Sequence, residues 1–309
     1  MNKFTKAGIA GLFLSLTAVM ASCGGSSTST TDTAAVTADV YPVTVGDLTL
    51  DAQPTSIISL SPSATEMLYA IGAGSQVVAV DEYSNFPAEA VTLGTKLSGF
   101  EPNIEAISGY SPDLVIVSYD PGSLVEQLKT LNIPVFIAGA AMSLENVYEQ
   151  IEQLGVLTGH SQAAIEVSKT LQTGIEDAVA SVKFSEPPLS YYYELDNTYY
   201  SVTSNTFVGQ IFNLFGMRNI ADNVESGNDY PQLSAEVIVS SDPDFIFLAD
   251  TKCCAQDATT VAARDGWGGL KAVTANQVVE LDDDVASRWG PRVLDLITAI
   301  RDAVAAANS

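Results

Sequence analysis

A short pattern occurs twice in this chain and restricts what it can fold into. Glu105-Ala106-Ile107 stands seven residues before Pro112-Asp113, and the apolar run Leu114-Val115-Ile116 follows. Glu236-Val237-Ile238 stands seven residues before Pro243-Asp244, and Phe245-Ile246-Phe247 follows. Both copies read E-x-I-x4-P-D and then an apolar strand, at one offset of 131 residues, from Glu105 to Glu236 and from Pro112 to Pro243. Helix, turn and strand recur in any α/β protein. Matching Glu and Pro-Asp positions at a fixed offset point further, to two related lobes that each carry one glutamate at an equivalent surface position. Such a pair suits a twofold-symmetric partner.

Around each copy the chain alternates strand and helix. Residues 56–60 are an apolar run of strand length, and Ser63-Ala64-Thr65-Glu66 has the form of a capping box, opening a helix that closes at Gly72 or Gly74. Residues 77–80, 114–117 and 135–137 read as further strands, with a helix over 124–131, which predicts a mainly parallel sheet covered by helices. The rhythm then changes. Ala164, Ser168, Leu171, Ile175, Ala178 and Val182 recur at four and three, one seam along a continuous helix over 161–182. At 1.5 Å per residue that helix is about 33 Å long, enough to brace two lobes. Beyond Pro187-Pro188 the alternation resumes with strands at 189–195, 245–248 and 278–281, a helix near 207–215 ended by Gly216, and a last helix over 291–307. The expected organisation is an α/β lobe at 54–160, a bridging helix at 161–184 and a second α/β lobe at 187–309. Tyr191-Tyr192-Tyr193 with Tyr199-Tyr200 reads as strand alternation rather than a binding face.

The amino terminus reads as an export signal. Lys3 and Lys6 precede an apolar run from Ala7 to Met20, shorter than the about 20 residues a spanning helix needs, and small residues follow. Residues 1–22 are therefore read as a signal peptide that is removed. The ending Val19-Met20-Ala21-Ser22-Cys23-Gly24 resembles a bacterial lipobox, with Met20 where leucine is usual, which implies cleavage before Cys23 and lipidation of its thiol. Plain secretion would leave Cys23 free. The polar stretch from Gly24 to Thr33 buries too little apolar surface to order itself, so residues 23–50 are read as the lipidated cysteine and a flexible tether.

Two neighbouring cysteines remain, Cys253 and Cys254. In an exported chain they are expected to be oxidised. Adjacent Cα atoms, however, lie about 3.8 Å apart, below the ~4.4 to 6.8 Å usual for a disulfide, so a vicinal ring would be strained. A vicinal disulfide stiffening a loop, two free thiols and an intermolecular bridge stay open. No metal site is expected there without a nearby histidine.

Charge and composition remove several functions. With 37 acidic and 13 basic residues the formal net charge is -24, a field that repels polyanions and excludes nucleic acid as a partner. One histidine removes three-His zinc sites, HExxH proteases and most Ser-His-Asp hydrolases. No G-x-S-x-G nucleophile elbow and no phosphate loop occur, and Asp282-Asp283-Asp284 reads as a solvated turn. Binding is the leading function; a secreted hydrolase with paired carboxylates and a surface sensor are the rivals.

Four stretches then form one ordered resemblance, running from about residue 56 to the last helix: Ile58-Ser59-Leu60-Ser61-Pro62-Ser63-Ala64-Thr65-Glu66, Tyr83-Ser84-Asn85-Phe86-Pro87, Pro112-Asp113-Leu114-Val115-Ile116 and Pro231-Gln232-Leu233-Ser234-Ala235-Glu236. Together they resemble the iron-siderophore and cobalamin substrate-binding proteins of ABC importers, nearest the cobalamin branch. The resemblance implies the class III periplasmic binding protein fold: two Rossmann-like α/β lobes bridged by one long α-helix, a shallow ligand cleft between them, little hinge motion and no enzymatic activity. It implies an ABC permease dimer with its ATPase subunits as partner, and an extracytoplasmic protein lipid-anchored to a bacterial membrane. The expected ligand is cobalamin or a related corrinoid, with a ferric siderophore as the alternative and haem third; no cofactor and no metal are expected.

Carried over by position, the resemblance matches Glu105 and Glu236 to two lobe glutamates that pair with permease arginines, contacts that are charge-assisted and bidentate. Tyr83 matches an aromatic of the cleft in one lobe, and Tyr230 stands where the other lobe has a tryptophan; each could instead be half-buried core. Aromatic faces suit a large flat macrocycle. Arg288 and Trp289 sit where the last cleft loop meets the final helix. Arg288 is expected to offer its fork to carboxylate, amide or phosphate groups of the ligand, and Trp289 either touches ligand or packs the loop. Phe100 and Tyr119 follow strand ends of the first lobe, where open α/β sheets place ligands. Two departures stand against the pattern. Near Ser98-Gly99-Phe100-Glu101 the resemblance implies a cleft tryptophan, and this chain has Gly99 with Phe100 adjacent; a long-range disulfide of the branch cannot form, because Phe215 stands near one of its cysteine positions. His160, at a helix junction, is expected to cap a helix rather than to bind haem.

Overall fold

The computed structural model describes residues 39–95 and 97–308; the expected export signal, Cys23 and residues 24–38 of the expected tether lie outside the described residues. The tether as drawn from the sequence runs too far. Strand β1 (Val43–Val45) pairs antiparallel with β2 (Leu48–Leu50), Val43 opposite Leu50 and Val45 opposite Leu48. Gly46, at φ 55°, supplies the left-handed residue that the two-residue turn requires. Val-Thr-Val-Gly-Asp-Leu-Thr-Leu is a hairpin signature in its own right, alternating about a glycine-containing turn. The hairpin is tied down. Val43, Val45 and Leu48 pack on the core, Tyr41 Oη donates to Leu157 O at 3.0 Å, and Gln53 Nε2 donates to Thr158 O at 2.7 Å.

Two four-stranded parallel sheets follow. The first contains β3 (Ile57–Leu60), β4 (Val77–Val80), β5 (Leu114–Val117) and β6 (Val135–Ile137), in the order β4-β3-β5-β6. The second contains β7 (Ser190–Glu194), β8 (Arg218–Asn219), β9 (Phe245–Leu248) and β10 (Val278–Glu280), in the order β8-β7-β9-β10. Counted along each lobe, both sheets run second, first, third, fourth, so the two lobes share one topology. Strands β3, β5, β7 and β9 are buried along their whole length, as central strands of a parallel sheet covered on both faces must be. The tyrosine run in β7 therefore does not alternate between core and solvent. All three rings are fully buried; Tyr191 stacks on Phe212 at 4.1 Å, and Tyr193 Oη donates to Ala286 O at 3.1 Å.

The repeated Pro-Asp has a structural use. Asp113 Oδ2 accepts from Thr55 N (2.8 Å), Thr55 Oγ1 (2.9 Å) and Ser56 N (3.1 Å), immediately before β3. Asp244 Oδ2 accepts from Ser190 N (2.8 Å) and Ser190 Oγ (2.7 Å), where β7 begins. In each lobe the aspartate that opens the third strand clasps the start of the first. The Thr55 amide, the largest of these effects, holds the Asp113 carboxyl below the usual carboxylate range.

Between β6 and β7 the chain runs through two helices, Leu144–Thr158 and Ser161–Ala180, which turn at Gly159. The second is 20 residues, about 30 Å, and its buried residues Ala164, Ser168, Leu171, Ile175 and Ala178 follow the seam read from the sequence; Val182 lies past its end. The two helices meet so closely that a Cβ on Gly155 would collide with Ala164 Cβ. At Gly174 the longer helix packs against Leu294 of the last helix, Val293–Ala307. Ile57 and Met67 of the first lobe, Leu171 and Ile175 of the linking helix, and Phe247 and Ile297 of the second lobe all belong to one continuous core. Each sheet's other face has its own smaller core, with Ile58 and Val115 in one lobe and Tyr192, Ile246 and Trp267 in the other. His160 occupies the N-cap position of the linking helix, but its ring makes no capping bond; Nδ1 lies 2.9 Å from Thr158 O. No helix among the described residues is long and apolar enough to cross a membrane.

Candidate ligand-binding cleft

The carboxyl ends of the first lobe's strands hold three exposed rings together. After β4, Asp81 is buried and accepts from Tyr83 N (2.8 Å) and Ser84 Oγ (2.8 Å); Ser84 continues into a buried hydroxyl chain with Thr65 and Ser59. Burial raises the Asp81 carboxyl above its usual range, against the lowering effect of these hydrogen bonds and of Arg288. The Tyr83 backbone is thereby fixed while its ring stays 54% exposed. The ring stands edge-on to Phe100 at 5.7 Å, and Phe100 lies 6.5 Å from Tyr119. Phe100 and Tyr119 are 63% and 43% exposed, so this aromatic surface faces outward rather than into the core. Gly99 passes tight beside β3: a Cβ there would come within 3.0 Å of Leu60 O. A side chain at that position would need the β3 backbone to give by a few tenths of an ångström, and the ring on this loop is that of Phe100.

Beside this wall, a cavity of about 390 Å³ opens between the lobes. Ala140 and Ala141 line it from the first lobe; Tyr193, Phe207, Tyr230, Cys253, Arg288 and Trp289 are among those lining it from the second. Tyr230 is 56% exposed, an outward ring on the second lobe. The wall adjoins the cavity through Arg288, whose Nη2 donates to Tyr83 O at 2.9 Å.

Arg288 is used differently from the expectation. Its Nη1 donates to Glu66 Oε1 at 2.8 Å, and Nη2 donates to Asp284 Oδ1 at 2.7 Å as well as to Tyr83 O. Arg292 adds two bonds to the same glutamate, Nε to Oε2 at 2.9 Å and Nη2 to Oε1 at 2.6 Å, and its guanidinium lies 4.2 Å over Phe86. The fork expected to meet ligand is thus engaged in a buried clamp between the lobes. Trp289 packs the loop and also borders the cavity; its Nε1 donates to Gln150 Oε1 at 3.1 Å and its amide to Ser63 Oγ at 3.3 Å. Glu66, the centre of the clamp, was misplaced by sequence: helix Pro62–Ala70 is capped by Ser61, whose side chain accepts from Ala64 N, and Glu66 is not a capping-box partner. Glu66 is the one charged residue of a helix otherwise made of apolar residues, Ser63, Thr65 and Tyr69, and that is the signal the sequence offers.

Asp282-Asp283-Asp284 is likewise no solvated turn. Asp282 caps helix Asp283–Ser287, Asp284 bonds Arg288, Lys252 and Asn85, and Asp283 accepts from Thr251 Oγ1 (2.8 Å), Lys252 N (3.0 Å) and Cys253 N (2.8 Å). The loop that brings Cys253 to the cavity is therefore held by a carboxylate. Cys253 and Cys254 are free thiols, so no vicinal disulfide stiffens it. Burial, then Cys254 and Asp283, push the Cys253 thiol up to about 12.

Beneath that loop lies a buried acidic pair. Glu194, at the end of β7, is bonded by Arg264 (Nη1 to Oε2, 2.6 Å), and the guanidinium stacks 4.5 Å from Trp267. Asp250, two residues past β9, is fully buried and neither carboxylate oxygen meets a donor. Burial first and Glu194 second raise it to about 7.

The repeated glutamates occupy equivalent places. Glu105 is the second residue of helix Ile104–Ser108, capped by Asn103; Glu236 is the second residue of helix Ala235–Ser241, capped by Ser234. Both are exposed, and the isoleucine two residues on, Ile107 or Ile238, is fully buried. Its own backbone amide first, and the Ser234 side chain second, lower the Glu236 carboxyl. Each helix precedes its lobe's third strand, Ile104–Ser108 before β5 and Ala235–Ser241 before β9.

A family model described as periplasmic binding protein matches residues 57–285. The chain is 28% identical to an uncharacterized ABC transporter substrate-binding lipoprotein, YvrC, of Bacillus subtilis, over 97% of each chain. It is 31% identical to a cobalamin-binding protein of Halobacterium salinarum, over 85% of this chain and 74% of that one. The crystal structure of the periplasmic vitamin B12 binding protein BtuF of Vibrio cholerae superposes with a TM-score of 0.69 at 26% identity, covering 83% of this chain and 98% of that one. This is a binding fold, not a catalytic one, and the hydrolase reading falls with it. Because the matched region runs from the first strand of one lobe through the last strand of the other, the chain belongs to the periplasmic binding protein family.

Proposed function

We propose that this protein is the extracytoplasmic substrate-binding component of an ABC importer, held at a membrane by lipid on Cys23, and that its cargo is cobalamin or a related corrinoid. The observation that carries the reading is the set of outward rings at the interlobe cleft: Tyr83, Phe100 and Tyr119 on one lobe and Tyr230 on the other. Four large rings left in water have a use when a broad, flat, partly apolar ligand covers them. The relatives named for cobalamin or vitamin B12 support the choice of cargo.

The clamp at Glu66 and the shared core favour a preformed cleft that takes ligand with little change of shape. Glu105 and Glu236, one per lobe, are the handles offered to paired arginines of a permease dimer, where two charge-assisted contacts set orientation as well as affinity. ATP hydrolysis belongs to the partner.

Titration of the purified mature protein with cyanocobalamin, ferric siderophores and haem tests the reading, by calorimetry and by the fluorescence of Trp289 in the cavity wall. Saturable binding of cyanocobalamin in preference to the others is expected. Tighter binding of a siderophore or haem, or no binding of any, overturns the choice of cargo.

A further inference from the structure

The corrinoid reading leaves open which charge the cleft accepts, and the residues around it bear on that. Every exposed ring at the cleft has a carboxylate beside it in the chain: Glu82 next to Tyr83, Glu101 next to Phe100, Asp120 next to Tyr119 and Asp229 next to Tyr230. All four residues are exposed; Asp120 Oδ1 also accepts from Val125 N, and Asp229 Oδ1 from Thr203 Oγ1 and Asn205 Nδ2, bonds that leave their charge in place. Nothing among the described residues of the cleft balances them. Arg288 is engaged by Glu66, Asp284 and Tyr83 O, and Lys252, on the Cys253 loop, is engaged by Asp282 and Asp284. Asp283, which lines the cavity, adds a further negative group.

We infer that the cleft selects by charge: it takes flat, apolar ligands of positive or zero net charge and turns anions away. The inference rests on the cleft being the corrinoid site proposed above. Two effects act in the same direction. Ring faces carry negative electrostatic potential and attract cations laid over them. Carboxylates at the rim raise the local concentration of cations and lower that of anions, with a reach of about a Debye length. Within one scaffold the preferred cargo is then a corrinoid whose cobalt-centred positive charge is not offset by a phosphate or carboxylate.

The experiment varies charge on one ring system. Mature protein is titrated with aquocyanocobinamide, a monocation that lacks the nucleotide phosphate, with cyanocobalamin, which is neutral, and with a cyanocobalamin monocarboxylate, a monoanion. Ferrioxamine, a cation, and ferric enterobactin, a trianion, form a second series. Affinity is expected to fall from cation to anion by about tenfold per charge at low salt, and this spread to shrink in concentrated salt. It should also narrow in the Glu82→Gln/Glu101→Gln variant. An anionic corrinoid bound as tightly as the cationic one, or a spread that salt and the double variant leave unchanged, overturns the charge inference and leaves the corrinoid reading standing. If no corrinoid binds, the corrinoid reading fails, and the siderophore series decides the charge question alone: enterobactin at or above ferrioxamine overturns it, and ferrioxamine alone upholds it.

Discussion

Glu66 and Arg288 lie 222 residues apart in the chain and are joined by a 2.8 Å ion pair in which the glutamate side chain has no access to water. Arg292 reaches the same carboxylate, so one buried anion in the first lobe holds two cations of the second. The arrangement joins the lobes where the Tyr83 loop begins, since Arg288 also bonds Tyr83 O.

Removing the anion should be costly. Glu66→Gln is expected to lower unfolding stability by about 3 to 5 kcal/mol, because two largely buried guanidinium groups lose their shared partner. Urea denaturation followed by circular dichroism measures it. Arg301→Ala, which removes a pair with Asp302 at the surface, should cost no more than about 1 kcal/mol. Equal small losses in both variants would mean that the clamp does not hold the lobes.

The exposed rings should matter for ligand and not for folding. Tyr83→Ala and Tyr230→Ala are each expected to weaken corrinoid binding by about tenfold, from lost stacking and apolar contact. Both rings are more than half exposed, so the urea midpoint should hardly move. Calorimetry and denaturation on the same preparations separate the two effects. Unchanged affinity in both variants would place the ligand elsewhere.

Asp250 should make stability depend on pH. Its native carboxyl, raised to about 7, keeps a proton that the unfolded chain has already lost above the ordinary aspartate range near 4. Between those values the folded state binds more protons, so stability is full below about pH 4, falls as pH rises toward 7 and then levels. The groups around it are Glu194, Arg264, Tyr192 and Asp283. Asp250→Asn should flatten that part of the curve and be the more stable form at pH 8. Parallel curves for the two proteins would show that Asp250 is ionised throughout.

Docking should be separable from binding. Glu105→Arg with Glu236→Arg is expected to abolish uptake of labelled corrinoid by cells while calorimetric affinity stays within about twofold. The single reversals should give intermediate uptake, because one of two orienting contacts survives. Affinity lost along with uptake would make these glutamates part of the cleft.

The free thiols give a chemical test of the cleft loop. With its thiol raised to about 12, Cys253 should react slowly with iodoacetamide at pH 8 in the folded protein and at an ordinary rate once unfolded. Because Cys253 lines the cavity, corrinoid should slow the reaction further. Mass spectrometry after timed quenching reads both rates. Fast labelling that ligand does not affect would place the residue outside the cleft.

Much of the fold was legible because it is local. Apolar runs of four residues in β5 and β9, the largely apolar β3, the four-three seam of the linking helix and the positive-φ glycines at Gly72 and Gly216 each act over one element, so neighbouring residues suffice to read them. The 131-residue repeat carried further, since two lobes built on one topology need the same residues at the same turns. The hairpin at β1 and β2 was equally local and was lost only by extending a polar composition past its end.

What only the tertiary structure decided are the partners and the exposure of side chains whose local setting is ambiguous. Tyr83 and Tyr192 both follow or lie in strands, yet one ring is out in water and the other fully buried, because a residue's exposure is set by what the rest of the chain lays over it. Arg288 could be read as a free fork until Glu66, Asp284 and Tyr83 O came within reach, from places as far as 222 residues away. The sequence by itself determined which segments become strand and helix and that they come in two related sets, since backbone preference and apolar period are properties of neighbours. Where charge is neutralised and where aromatic surface stays open are properties of folded proximity, and no local pattern contains them.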